Sequence, residues 1–298
     1  MDHDIIIIGA GCAGLTAAIY AARAGKRVLI LESEGIGGQI ATSPKVENYP
    51  GIKSISGIEL SDALFEQASE LGVDLELEKV LSIRKDNDIF TVETDFGSHA
   101  AKTCIIATGV KPRKLGLADE ERLEGKGVSY CAVCDGAFYK DRDVAVVGGG
   151  STALQSALML SDICRTVYLI HRRSGFRAEQ VLAERVKSRD NIKLVLDSTI
   201  SALNGKERLE EIEVAHTNGE KQSLAADCLF VLIGKIADNG AFAELVDLDE
   251  KGYIIADESC RTKTPGLFVA GDCRTKEVRQ LTTAAADGSA AALAAIES

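Results

Sequence analysis

Positive charge is in short supply in this chain: 34 Lys and Arg stand against 45 Asp and Glu, a formal net charge of −11 over 298 residues. A deficit of that size argues against nucleic acid or an anionic membrane surface as the main partner. Long apolar runs are missing too. None approaches the roughly 18 residues that a membrane-spanning helix needs, and the acidic start Met1-Asp2-His3-Asp4 is not that of a signal peptide. A soluble cytoplasmic protein is expected. Only 4 prolines accompany 28 glycines, with 46% hydrophobic residues, a balance that suits an α/β protein with many strand-to-helix turns. Of the 8 cysteines, only Cys131 and Cys134 lie close in sequence, which excludes a secreted disulfide scaffold. The length exceeds that at which one hydrophobic core stops growing, so two domains are expected.

Within those bounds the chain carries two dinucleotide-binding fingerprints. The apolar run Ile5-Ile6-Ile7-Ile8 reads as a parallel strand covered on both faces, and it runs directly into Gly9-Ala10-Gly11-Cys12-Ala13-Gly14 and a helical stretch to Arg23. Gly9 permits the tight turn, Gly11 lets the backbone approach a pyrophosphate, and Gly14 allows close helix–strand packing. The helix N-terminus then faces the phosphates. Glu32 ends the next strand, 18 residues after Gly14, where a carboxylate accepts hydrogen bonds from ribose hydroxyls and repels a 2′-phosphate. This site suits FAD or NAD.

The second fingerprint follows Val144-Ala145-Val146-Val147 and reads Gly148-Gly149-Gly150-Ser151-Thr152-Ala153. Here the residue 18 positions past the third small residue is His171, followed by Arg172 and Arg173, with Arg177 close behind. Arginine forks bind phosphate oxygens bidentately, so this chemistry favours the 2′-phosphate of NADPH. The plain alternative treats the basic residues from 172 to 189 as a solvated helical face. A fainter repetition links residues 101–109 with 225–234, each an apolar strand ending in Gly after a segment expected to form a β-hairpin, Asp88–Thr94 in one and Glu211–Thr217 in the other.

These elements predict an α/β fold of two Rossmann-like, three-layer domains (FAD/NAD(P)-binding), the second inserted into the first. Residues 1–112 form the first part of the FAD-binding domain, 113–240 the nicotinamide domain carrying the cysteine pair, and 241–298 the second part of the FAD domain.

Cys131-Ala132-Val133-Cys134 has the spacing of a redox disulfide, whose reactivity depends on a lowered thiol pKa. Zinc needs four ligands, and no second pair or nearby His is visible, so no metal is expected. Two inert buried thiols are the other plain reading. Asp135 follows directly and is placed to shuttle a proton to or from the thiolates; as a turn residue before Gly136 it has a simpler role as well. Cys134 lies 14 residues before Gly148, which puts the pair on the nicotinamide domain.

Taken together, Gly37-Gly38-Gln39, Val46-Glu47-Asn48-Tyr49-Pro50-Gly51, Ala107-Thr108-Gly109, Cys131 to Gly136, His171 to Ala178, Gly271-Asp272 and Arg279-Gln280 make the chain resemble the low-molecular-weight, bacterial-type thioredoxin reductases over nearly its whole length. The resemblance implies an FAD homodimer in which NADPH reduces the flavin, the flavin reduces the Cys131–Cys134 disulfide, and the dithiol reduces thioredoxin or a similar small dithiol protein. It implies that Cys134 faces the flavin, that Cys131 attacks the partner and that Asp135 is the acid/base. Gln39, Asn48, Gly109, Asp272, Arg279 and Gln280 would line the flavin, and Gly148, Gly150, Ser151, Thr152, His171, Arg172, Arg173 and Arg177 would take NADPH. In the larger disulfide reductases the cysteine pair sits in the flavin domain soon after the first Glu; here Gly35 to Gln39 has no cysteine. A disulfide and a nicotinamide on one domain predict alternation, with that domain swinging on its two linkers.

Three positions depart from the family pattern. Ser151 to Ser156 lacks the usual acidic residues, Ile236-Ala237-Asp238 replaces a proline-containing turn, and Cys12 stands where proline is common. A related reductase using ferredoxin, or serving another dithiol or peroxiredoxin-type partner, is the competing expectation.

Overall fold

The computed structural model describes residues 3–43 and 45–298, so Met1 and Asp2 of the acidic start lie outside the described residues. Two compact units emerge. One comprises residues 1–111 and 236–298, the other residues 112–235, so the chain leaves the first unit between Lys111 and Pro112 and returns between Lys235 and Ile236.

In the first unit the sheet order is Leu267–Val269, Thr103–Ile106, Ile5–Ile8, Val28–Leu31, Asp74–Glu76, every pairing parallel. All four isoleucines of Ile5–Ile8 are buried because alternate residues face two different covers. Ile5 and Ile7 face the helices Cys12–Arg23 and Leu281–Ile296 through Leu15, Ala17, Ala291 and Ala294. Ile6 and Ile8 face Ile83, Phe90 and Val92 of a three-stranded antiparallel sheet, Val80–Asp86, Ile89–Thr94 and Ser98–Ala101. The result is helix, parallel sheet and antiparallel sheet in three layers.

The second unit repeats this plan. Its parallel sheet runs Ile192–Val195, Thr166–Ile170, Asp143–Val147, Cys228–Val231, Val128–Ser129. Val144 and Val146 pack on the helix Ser151–Ser161 through Leu154 and Ala157. Ala145 and Val147 pack on Ile212, Val214 and Leu224 of the antiparallel strands Ser198–Asn204, Glu211–His216 and Lys221–Ala225. The α/β class with two Rossmann-like units is therefore as the sequence predicts.

Two local expectations are corrected. Asp88–Thr94 and Glu211–Thr217 are not hairpins: each is the middle strand of its three-stranded sheet, Ile89–Thr94 and Glu211–His216. Asn87, with φ 54°, closes the turn before Ile89, so the reversal lies just outside the segment that looked self-contained.

Another difference separates the units. The fifth strand of the first sheet, Leu267–Val269, comes late in the chain, whereas its counterpart Val128–Ser129 precedes the other strands of the second sheet. Both sit beside the strand that follows the antiparallel sheet. Val128–Ser129 leads into Tyr130 and Cys131, so the cysteine pair hangs from the carboxyl end of an edge strand. In open parallel sheets that end is where ligands bind.

Candidate active site

In the first unit the glycines divide the labour at the fingerprint turn. Gly9 has φ 109°, and a Cβ there would stand 2.5 Å from the Ala107 carbonyl oxygen; a Cβ on Gly14 would stand 1.9 Å from the Gly9 carbonyl oxygen. Gly11 differs, since a Cβ there would meet nothing nearer than the Gly37 carbonyl oxygen at 3.9 Å. The space above Gly11 is open, and the helix it caps has no side-chain cap, which leaves its first-turn N–H groups for an anion.

Glu32 is buried, 8% exposed, and its carboxylate accepts the Ala10 N–H at 2.7 Å and the Glu34 N–H at 2.8 Å. It therefore fixes the turn itself, and its remaining lone pairs are what a ribose would use. The Gly37 N–H donates to the Ala10 carbonyl at 2.8 Å, bringing Gly37-Gly38-Gln39 alongside the turn; the Gln39 side chain donates to the Val110 carbonyl.

Asn48 donates to the Gln280 side chain at 3.3 Å. Arg279 is folded back over its own loop: it donates to the carbonyls of Asp272, Lys276 and Arg274 and stacks 4.1 Å above the Tyr253 ring. Gly109 has φ 67° and open space where a side chain would be.

Two residues that motif reading did not single out organise this region. Asp287, on the small-residue helix Leu281–Ile296, accepts from the Gly271 N–H at 3.0 Å, from Arg274 at 3.0 Å and from Lys276 at 2.8 Å. It is thereby the shared ion-pair partner of two cations whose side chains are only 10% and 11% exposed, where an unpaired buried charge costs several kcal/mol. A single acid in an alanine run was the available signal. Asn239, 1% exposed, donates to the carbonyls of Gly252 and Cys273 at 2.8 and 3.0 Å and lies 3.4 Å from the Thr108 hydroxyl. It holds the segment beside Gly109 to the Asp272 loop. Nothing in Asp238-Asn239-Gly240 distinguishes it from an ordinary turn.

The second unit reproduces the turn with different chemistry. A Cβ on Gly148 would stand 2.4 Å from the Leu232 carbonyl oxygen, and one on Gly150 would meet nothing within 4 Å. Gly150 caps the helix Ser151–Ser161 with no side-chain cap, and Ser151 and Thr152 are exposed in its first turn. The Arg177 N–H donates to the Gly149 carbonyl at 2.7 Å, as the Gly37 N–H does to Ala10.

His171 occupies the place of Glu32 and is buried, 8% exposed. Its ring lies so close to the turn that a Cβ on Gly149 would be 2.1 Å away, and it stacks on Phe176 with 5.7 Å between centroids. Burial, then the neighbouring arginines, pushes its pKa below the usual histidine range, so it is a neutral wedge under the turn. Arg172, Arg173 and Arg177 are exposed, in the loop before the helix Gln180–Lys187 and not on a helical face.

Cys131 and Cys134 are closed into a disulfide with Cα atoms 5.3 Å apart, and both are half-buried. Cys131 caps the short helix Ala132–Asp135, its Sγ accepting the Cys134 N–H at 3.2 Å. Asp135 is raised above the usual carboxylate range by burial, against a hydrogen bond from Ser129 that lowers it. Nearby, the buried carboxylate of Glu120 takes the N–H groups of Leu115 and Gly116 and the Tyr130 hydroxyl, tying the start of the unit to the residue before Cys131.

The six remaining cysteines are free and buried. Burial raises all their thiols, those of Cys12, Cys164 and Cys273 to about 11 and that of Cys260 to about 12. A thiol titration is thus expected to find no fast-reacting group in the oxidised native protein and two after mild reduction, with the rest appearing only on denaturation. A fast thiol before reduction would contradict this assignment. Among the described residues no group of His, Cys, Asp and Glu is arranged to hold a metal, and no helix is long and apolar enough to cross a membrane.

A family model described as pyridine nucleotide-disulphide oxidoreductase matches residues 3–288. The chain belongs to the pyridine nucleotide-disulphide oxidoreductases. Within that family it is 42% identical over 294 residues to the thioredoxin reductase of Mycoplasma genitalium, covering 98% of this chain and 93% of that protein. It is 40% identical over 296 residues to that of Treponema pallidum, covering 99% and 96%. The solved thioredoxin reductase of Streptococcus pyogenes superposes with a TM-score of 0.95 at 38% identity, over 99% of this chain and 97% of that one. As a pyridine nucleotide-disulphide oxidoreductase the chain is a flavin-type oxidoreductase, and its first unit fits such a group: the space above Gly11, the uncapped helix behind it and the buried Glu32 make a cradle for a dinucleotide.

Proposed function

We propose that this chain is a thioredoxin-disulfide reductase that draws electrons from NADPH through FAD. One observation carries the reading: a closed Cys131–Cys134 disulfide hangs from the carboxyl end of the same parallel sheet whose Gly148 turn offers a dinucleotide cradle. A bound flavin supplies a two-electron carrier between a nicotinamide and a disulfide. Gly9, Gly11 and Gly14 would hold its pyrophosphate and Glu32 its ribose, while Gln39, Asn48, Gly109, Asp272, Arg279 and Gln280 would surround its other end.

In the second unit the backbone at Gly148, Gly150, Ser151 and Thr152 would take the nicotinamide dinucleotide's pyrophosphate. Neutral His171 shapes the turn, leaving Arg172, Arg173 and Arg177 to bind a 2′-phosphate. No carboxylate stands where Glu32 stands in the first unit, which removes the repulsion a 2′-phosphate would meet. Cys131, at the helix cap with a backbone N–H on its sulfur, is the thiolate suited to attack a partner disulfide, and Asp135 holds the proton that the opened pair needs. Because the nicotinamide cradle and the disulfide share a unit, alternation about the crossings at 111/112 and 235/236 belongs to the proposal, as do a homodimer and a cytoplasmic setting.

The printed names of the relatives favour thioredoxin as the partner over another small dithiol protein. The test is a steady-state assay of thioredoxin disulfide reduction with NADPH, NADH or reduced ferredoxin as donor. NADPH is expected to support turnover best; turnover with ferredoxin alone would assign the donor to the competing class.

A further inference from the structure

The carboxyl group of Asp135 needs something to fix it, since it sits on a helix of 4 residues next to a bond that must open and close. The buried residue that faces it is Ser129, 7% exposed, on the edge strand Val128–Ser129. That strand is paired to the sheet through Phe230, so the serine belongs to the rigid scaffold and the aspartate to the reacting turn. The Ser129 hydroxyl donates to Asp135 Oδ2 at 2.6 Å, and its oxygen accepts the Cys131 N–H at 3.1 Å. One hydroxyl thus touches both the acid and the backbone of the first cysteine. The other acceptor in its reach, the Cys131 carbonyl, is 3.5 Å away, so its single proton goes to the nearer carboxylate oxygen.

Oδ2 accepts from the serine, which leaves Oδ1, buried and without a hydrogen-bond partner among the described residues, as the oxygen free to carry the proton of the neutral acid. We propose that Ser129 is the positioning residue of this site: it directs the Asp135 proton to Oδ1 and ties the carboxyl group to the Cys131 backbone. The inference rests on the reading of Asp135 as the acid/base. In the step it serves, a bound reduced flavin would supply two electrons and release its own proton to solvent, and the Cys131–Cys134 bond would break into two thiolates. One of them takes the Oδ1 proton, leaving a thiol, a thiolate and an ionised Asp135 whose Oδ2 still accepts from Ser129.

Among the described residues no other group around the turn stands in for Asp135. Its titratable neighbours are the Tyr139 phenol and the Cys228 thiol, both raised by burial and neutral through the working pH range. The neighbouring helix Ser151–Ser161 meets the turn at Gly136 through Leu160 and Met159, which carry no charge. Asp227 acts electrostatically on Tyr139 and Cys228, and Asp135 itself answers to burial and Ser129.

The test compares Ser129→Ala, Ser129→Thr and Asp135→Asn in the holoenzyme, reading flavin content and the pH profile of kcat with thioredoxin. The serine hydrogen bond favours the ionised carboxylate, so its loss should raise the pKa of Asp135 and move the alkaline limb of the profile upward by about one pH unit, from the strength of a hydrogen bond to a charged group. The plateau should fall roughly tenfold as the proton loses its direction. Ser129→Thr, which keeps the hydroxyl, should restore both, and flavin content should not change. A slow Asp135→Asn beside an unshifted, fully active Ser129→Ala would overturn the role of Ser129 alone. A fully active Asp135→Asn would overturn the acid/base reading beneath it.

Discussion

Replacing Cys131 with serine is expected to abolish turnover of thioredoxin disulfide, by a factor of roughly a thousand or more, as for loss of an attacking nucleophile. Reduction of the bound flavin by NADPH should continue at its normal rate. The two outcomes separate if, as proposed, Cys131 is the cysteine that attacks thioredoxin; it stands at the cap of the short helix, where its sulfur accepts the Cys134 N–H. The fold should tolerate the change, since the cysteine is half-buried and caps a helix of only 4 residues, a position serine also fills. Stopped-flow absorbance with NADPH, set beside a thioredoxin assay, checks both halves. Turnover near the parent value would remove the Cys131–Cys134 pair from the reaction.

The second large effect concerns nucleotide choice. Arg172→Ala combined with Arg173→Ala is expected to weaken NADPH on the order of a hundredfold or more while changing NADH little. Each arginine stands to lose a charge-assisted hydrogen bond of about 1.5–3 kcal/mol to the 2′-phosphate. The structure sharpens the reason. His171 lies buried and neutral beneath the Gly149 turn, so it adds shape and no charge, whereas the arginines are exposed on a loop whose backbone is tied to Gly149 through Arg177. KM for both nucleotides, measured on the variant and the parent, decides the matter. An equal loss for NADPH and NADH would mean that the pair acts through the loop's shape and not on a phosphate.

What the sequence makes legible follows from strict local constraints. Ile5–Ile8 and Asp143–Val147 are readable because a parallel strand covered on both faces must be apolar throughout. The glycine turns are readable because Gly9, Gly14 and Gly148 sit where any Cβ would strike a carbonyl oxygen. The 18-residue offset that leads to Glu32 and His171 brings both to the same place beneath their turns. It could not tell that one would brace the turn with a carboxylate and the other with a ring, because those contacts depend on packing. The outer strands of the antiparallel sheets are harder still: Val80–Asp86 is only partly covered, with one buried residue, and Lys221–Ala225 is largely exposed, and both carry little apolar alternation, so their middle partners looked like self-contained hairpins. Ser129, Asn239 and Asp287 escape motif reading for another reason. Each acts through hydrogen bonds to residues distant in sequence or to backbone atoms, which impose no spacing rule.

The most direct measurement is an anaerobic titration of the purified flavoprotein with NADPH, following flavin absorbance, with oxidised thioredoxin added at the end. The parent protein should bleach as about two equivalents of NADPH fill first the Cys131–Cys134 disulfide and then the flavin, and its yellow colour should return on adding thioredoxin; Cys131→Ser should bleach with about one equivalent and stay bleached when thioredoxin is added. A protein that NADPH leaves yellow, yet that reduces thioredoxin once dithionite has bleached it, would contradict the assignment of the Gly148 turn and its arginines as the electron entry.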